Sequence, residues 1–282
     1  MALISLPFLK KSKLPHLIGV IHLPPLAGAP GSSRLHPATA LQEAGARAVL
    51  EARMMSAAGF SAIILENFGD QPFYKDRVPP ETIASLSVIA AAVREATRLP
   101  LGMNVLRNDG RAALAIAAVT GCEFIRVNVL SGVAATDQGI IEGDAAFLLR
   151  ERVRIGADVA ILADVHVKHA VSMSSRSLTL AMEETAGRGG ADGIILTGAT
   201  TGREVEGSDL EEAFQAAQHL GVPLLIGSGT TAKNLGLLRP LVTGFIVGSS
   251  LRKGGRAGAP LDQKRLKELI SASKPPSGRR KK

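Results

Sequence analysis

Short apolar runs and longer alanine-rich stretches alternate along the chain. The apolar runs fall at residues 17–22, 60–66, 101–105, 123–129, 158–168, 191–197, 222–227 and 243–248. Their length and β-branched content predict strands. Between them the pattern predicts helices over 37–58, 79–98, 110–120, 142–154, 177–188 and 208–220, a short helix from about 231, and a last helix over 261–272. The second starts at Pro79-Pro80, as suits a first helical turn. Strands alternating with helices imply parallel pairing, and eight such units predict an α/β fold, a single (β/α)8 TIM-type barrel. A doubly wound sheet is the competing arrangement. Six strand ends exit through a polar residue or glycine, which favours a barrel with a polar mouth. No composition break marks a second domain: the barrel is expected over 17–273, between a basic arm at 1–16 and a basic, disordered tail at 274–282.

Alternation within the strands says which side chains face inward, because successive residues point to opposite faces. In the fourth run Ile125, Val127 and Val129 form a uniformly apolar set that suits the helix side. Phe124, Arg126 and Asn128 then point into the barrel. The same even-numbered parity offers Ile18, Val20 and His22; Ala62, Ile64 and Glu66; Gly102 and Asn104; and Leu162, Asp164 and His166. Each set has its polar member at the C-terminal end, where barrel enzymes hold their active sites.

Composition narrows the function classes. The net charge of +8 hints at nucleic acid, but its location removes the hint. Lys10, Lys11, Lys13, Lys274, Arg279, Arg280, Lys281 and Lys282 lie at the ends, and without them 25 cations face 25 acids. With no Trp and one Tyr, base stacking is also poorly served, so no nucleic-acid partner is expected. Peripheral contact between the basic tail and an anionic membrane is the lesser reading of the tail. No apolar run reaches the roughly 18 residues of a span. The N-terminal charges follow the apolar segment rather than precede it, unlike a secretory signal. The lone Cys122 fits a buried, inert thiol in a reducing compartment. A cytoplasmic homo-oligomer is the expectation.

The candidate chemistry sits at the predicted strand ends. Asp164, His166 and Lys168 allow three readings. Lys168 forms a Schiff base with a carbonyl substrate. Alternatively Asp164 and His166 move protons while Lys168 offsets negative charge. Third, His22, Glu66, Asp164 and His166 hold a divalent metal, though their spacing matches no ligand signature and no cofactor is predicted. Glu66 is a further candidate base. His22, Asn104, Arg126, Asn128 and Thr197 are candidate substrate-binding residues. Gly227, Ser228 and Gly229, with Gly248 and Ser249, follow the seventh and eighth strands. There glycine lets a backbone approach an anion, and phosphate sites recur in barrels at these two loops. The plain alternative is an ordinary strand-to-helix turn. Arg252 to Arg256 either adds cations there or is a solvated loop. Asp70 and Asp76, with Phe73 and Tyr74, form a candidate lid.

These stretches resemble the BtpA family. The resemblance rests on GVIHLPPLAGAPG at 19–31, LENFGD at 65–70, ADVHVKH at 163–169, ADGIILTG at 191–198, PLLIGSGTT at 223–231 and GSSLRKGG at 248–255. It implies a phosphate-binding type of barrel. It also implies two functional settings, photosystem I biogenesis in one branch and sugar metabolism in another; no catalytic residue is carried over from it. The leading expectation is an enzyme of lyase or isomerase type acting on a small phosphorylated, sugar-like or carbonyl substrate. The alternative is a non-catalytic assembly factor peripheral to a membrane. An enzyme predicts that Asp164→Asn and Lys168→Ala abolish function with little change in thermal midpoint; an assembly factor predicts sensitivity to loss of the tail.

Overall fold

A computed structural model describes residues 4–10, 14–32, 36–165, 170–173, 177–197 and 207–274. The first two strands, β1 (His16–His22) and β2 (Ala62–Glu66), flank helix α1 (Pro37–Ala58), and α2 (Pro80–Ala96) leads to β3 (Leu101–Asn104). Helix α3 (Gly110–Thr120) precedes β4 (Phe124–Val127). Two short strands, β5 (Val133–Thr136) and β6 (Gly139–Glu142), then come before α4 (Ala145–Arg154). The second half runs β7 (Ala160–Val165), β8 (Ala170–Ser172), α5 (Leu178–Met182), β9 (Gly193–Leu196), α6 (Gly207–Leu220) and β10 (Leu224–Ile226). It ends with α7 (Leu235–Leu238), β11 (Gly244–Val247) and α8 (Gln263–Ser273). Local signals set the helix bounds: Pro37 opens α1 and Gly59 closes it at φ 90°, and Asp109 caps α3, accepting from the Ala112 N–H at 2.9 Å.

Eight parallel strands close into a barrel in the order β1-β11-β10-β9-β7-β4-β3-β2. The predicted parity holds: Ile18, Val20, Ala62, Ile64, Phe124 and Leu162 fill the interior, while Ile63, Leu65, Ile125, Val127 and Ala163 pack outward with the helices. Phe124 spans the interior because Gly102, its register partner, has no β-carbon to collide with it. From below, the N-terminal segment closes the floor. Leu6 and Leu9 are buried in the interior cluster, Phe8 lies 5.4 Å from Phe124 between ring centroids, and the Ile4 N–H donates to Asp192 at 2.7 Å. Asp192 in turn pairs with Arg152 at 2.6 Å, tying α4 to the foot of the barrel.

One feature departs from the expected pattern. Residues 133–142 form a hairpin which, with β8, makes a three-stranded antiparallel sheet outside the barrel. Strand β7 is described as far as Val165, and residues 166–169, His166 and Lys168 among them, lie outside the described residues. Among the described residues no helix is long and apolar enough to cross a membrane.

Cys122 is buried after α3, and desolvation pushes its thiol up to about 11, against a smaller opposing hydrogen bond from Thr120. At pH 8 only about one thiol in a thousand would then be thiolate. Iodoacetamide at pH 8 is therefore expected to leave the native protein unmodified and to label it once in denaturant, as read by intact mass.

Candidate active site

The C-terminal ends of the barrel strands surround a cavity of about 680 Å³. Register builds its rim: His22 pairs with Glu66, and Glu66 with Asn104. Gly102 pairs with Phe124, so two residues on, Arg126 stands beside Asn104. Of the residues singled out in the sequence, His22, Glu66, Asn104, Arg126, Asn128, Gly227, Ser228, Gly229, Gly248 and Ser249 all line this cavity. Thr197 lies behind Gly227, its Cγ2 2.5 Å from where a β-carbon at Gly227 would fall.

Asp164 takes a different place from the one its strand-end position suggested. Its side chain is 0% exposed and does not reach the cavity surface. Arg126 donates Nε to Oδ2 at 2.9 Å and Nη2 to Oδ1 at 2.8 Å, and Asn128 Nδ2 adds a bond to Oδ2 at 2.9 Å. Asp164 is thus the anchor that orients Arg126 and Asn128. Burial drags the Arg126 guanidinium down, but the charge and hydrogen bonds of Asp164, with Glu66 behind them, outweigh it and hold its pKa above the ordinary arginine value. Both Asp164 oxygens accept hydrogen bonds, and of the metal set His22, Glu66, Asp164 and His166 the last lies outside the described residues. Among them no three His, Cys, Asp or Glu side chains group to hold a metal.

Glu66 is the carboxylate that faces the cavity from the barrel strands. Asn104 Nδ2 donates to Oε2 at 2.7 Å, while the nearest cationic partner of Oε1 is His22 Nε2 at 3.8 Å, beyond hydrogen-bond reach. The Gly258 N–H donates to His22 Nδ1 at 3.3 Å, which assigns the ring proton of the neutral form to Nε2. Phe68 packs on the imidazole at 4.6 Å between centroids.

The rest of the 65–70 motif holds loops in place. Asn67 accepts from the Leu106 N–H at 2.7 Å, and Asp70 accepts from the Leu26 N–H at 2.7 Å and from Asn67 at 3.1 Å. Desolvation raises the Asp70 pKa against those bonds. Phe73 lines the cavity, Tyr74 is exposed, and Asp76 pairs with Lys75 on the surface.

The two glycine turns form the remaining wall. A β-carbon at Gly227 would fall 3.3 Å from Arg126 Nη2, and one at Gly248 would fall 2.9 Å from His22 Cε1, so both positions need glycine for room. Gly229 also has a φ of 76°, which favours glycine. Beside them the hydroxyls of Thr230 and Ser250 are buried without a hydrogen-bond partner, as is Asn128 Oδ1.

Arg252 adds no cation here and is no solvated loop residue: it is 0% exposed and bonded to Glu51 Oε1 and Oε2 at 3.1 and 3.0 Å. Sequence reading missed Arg107, Asp137 and Gln138, which line the cavity from loops after β3 and β4. Burial lowers the Arg107 guanidinium, and the attraction of Asp164 and Asp137 makes up only part of the loss.

Comparison with known proteins agrees with the fold. The family model of the BtpA family matches residues 13–275. The chain is 47% identical to the Photosystem I biogenesis protein BtpA of Synechocystis sp., over 91% of this chain and 87% of that protein. It is 48% identical to an uncharacterized protein of Pyrococcus horikoshii, over 85% of this chain and 88% of that one. Among solved structures it resembles thiamine phosphate pyrophosphorylase from Pyrococcus furiosus, with a TM-score of 0.55 and 15% identity, over 93% and 96% of the two chains.

Proposed function

We propose, for a chain that belongs to the BtpA family, that the barrel mouth is the active site of an enzyme acting by proton transfer, in a lyase or isomerase reaction, on a small phosphorylated molecule. One observation carries this reading. Two glycine turns with buried, unpartnered hydroxyls at Thr230 and Ser250 share a cavity with a buried carboxylate, Glu66, one of whose oxygens makes no hydrogen bond. Buried polar groups are normally satisfied, so hydroxyls left without partners beside room-making glycines suit a ligand rich in acceptor oxygens.

The chemistry follows from the charges. With its phosphate against the turns, the substrate places a carbonyl and its neighbouring carbon near Glu66. Glu66 Oε1 takes the proton from that carbon, and the electron pair moves onto the carbonyl oxygen. Arg126 spends Nε and Nη2 on Asp164, which leaves Nη1 to meet the growing negative charge. His22 Nε2–H is a second donor to that oxygen. In an isomerase the proton of the neighbouring hydroxyl then passes to the first carbonyl oxygen, and Glu66 returns its own to the former carbonyl carbon. In a lyase the carbonyl re-forms, the bond to the group on the next carbon breaks with its electron pair, and Glu66 protonates that group. These steps draw on described residues alone; His166 and Lys168 lie outside them. The assembly-factor alternative rests on the name of the Synechocystis relative, and no feature of the mouth favours it.

Inorganic phosphate and sugar phosphates at millimolar concentration are expected to raise the thermal midpoint, because ligands that bind only the native state stabilise it. Thr230→Val combined with Ser250→Ala is expected to remove most of that rise. Glu66→Gln should keep the rise and lower turnover by about 10²–10⁴-fold. No rise with any phosphate compound would sink the reading.

A further inference from the structure

The cavity is polar in two distinct ways, and the strand order separates them. The turns with Thr230 and Ser250 follow β10 and β11. Around the closed barrel β3 and β4 stand opposite that pair, and β2 stands next to β3. On this far side the unsatisfied groups are acceptors. Asn128 Oδ1 is buried without a partner, and its orientation is fixed because Nδ2 must face a carboxylate that can only accept. Gln138 Oε1, from the hairpin tip after β4, is likewise buried and unpartnered, its Nε2 being given to Asp137 at 2.6 Å. Glu66 Oε1, the base proposed above, adds a negative charge on this side and accepts no hydrogen bond from the described residues.

Two buried acceptors without partners call for donors on the ligand. Two cations stand on this side: Arg126 is held by Asp164, and Arg107 feels Asp164, Asp137 and Glu66 around it, so the protein supplies counter-charge for both. A second anion on the ligand would meet Glu66 Oε1, Asn128 Oδ1 and Gln138 Oε1 head-on. A carbon chain bearing hydroxyls would satisfy them.

Building on the phosphate reading above, we propose that the end of the substrate remote from its phosphate is a polyhydroxylated chain, held by its hydroxyl protons on Asn128 Oδ1 and Gln138 Oε1, and is not a carboxylate. The substrate is then a monophosphorylated sugar or sugar-like polyol rather than a phosphorylated acid.

Calorimetric titration of the full chain with four probes tests this: inorganic phosphate, a pentose 5-phosphate, a deoxypentose 5-phosphate and 3-phosphoglycerate. The pentose phosphate is expected to bind about tenfold or more tighter than the deoxy compound and tighter still than 3-phosphoglycerate, because each missing donor leaves a buried acceptor unpaired. Asn128→Ala should narrow the pentose-to-deoxy ratio while leaving affinity for inorganic phosphate unchanged. Should that variant fail to fold, the four-ligand series on the native chain decides alone. Equal binding of pentose and deoxypentose phosphates, or a preference for 3-phosphoglycerate, overturns the hydroxyl-binding pole while the phosphate site stands. No binding of any of the four overturns the phosphate site itself.

Discussion

Replacing Asp164 with alanine is expected to destabilise the protein by about 3–5 kcal/mol, because it strands the Arg126 guanidinium in the wall of the barrel without its counter-charge. The side chains of the pair are 4% and 0% exposed, so water cannot take over from the lost carboxylate. A urea midpoint lower by about 1 M or more is the measurable consequence. Asp164→Asn keeps an acceptor but no charge and should fall between the two. This revises the expectation that Asp164→Asn would spare the thermal midpoint: the structure makes Asp164 a partner of Arg126, and loss of function would come with loss of stability. Arg126→Met combined with Asp164→Leu should recover most of the stability, since neither desolvated charge remains. It should still lose sugar-phosphate binding. A double variant as unstable as the single one would sink this account.

The second large effect is expected far from the cavity floor. Glu51→Ala should also cost about 3–5 kcal/mol, by leaving Arg252 buried beside half of its bonds. Arg252 reaches both Glu51 oxygens, the Val20 carbonyl at 2.8 Å and the Ala259 carbonyl at 2.7 Å, and Arg47 adds a bond to Glu51 at 3.2 Å. The exposed pair Arg154–Glu151 makes the contrast: removing Glu151 should leave the urea midpoint nearly unchanged. Urea titrations of Glu51→Ala and Glu151→Ala side by side decide it, and equal midpoints would contradict the assignment of Arg252 to the core. Arg252 directly follows the Ser249–Leu251 turn, so this pair also fixes where the second glycine turn sits.

The architecture was readable because two periodicities repeat without interruption. Alternation in β1 to β4 and β7 assigned the inward face, and with it His22, Glu66, Asn104 and Arg126 to one rim. What alternation cannot reveal is which inward residues pair with one another. Asp164 and Arg126 have the same parity and adjacent strands, and only coordinates show that they consume each other. Arg107 escaped notice because it sits in a loop, where no period operates. The hairpin at 133–142 escaped because Val133-Ala134-Ala135-Thr136 is too short and too weakly polar on alternate positions to stand out from a connection. Arg252 looked like surface charge, yet a signal existed elsewhere. Glu51 falls on the buried stripe of α1 with Ala44, Ala48, Ala52 and Met55, where a carboxylate needs a partner.

The floor of the barrel bears on how the chain can fold. Phe8, Leu6 and Leu9 rest on an interior that exists only once β1 has paired with β11, more than two hundred residues downstream. Closing that seam joins the most distant parts of the sequence, which is slow, and during synthesis it must wait for the final strand to emerge. Leu6, Phe8 and Leu9 are therefore among the last apolar side chains to find their place, and until the seam closes they stay uncovered.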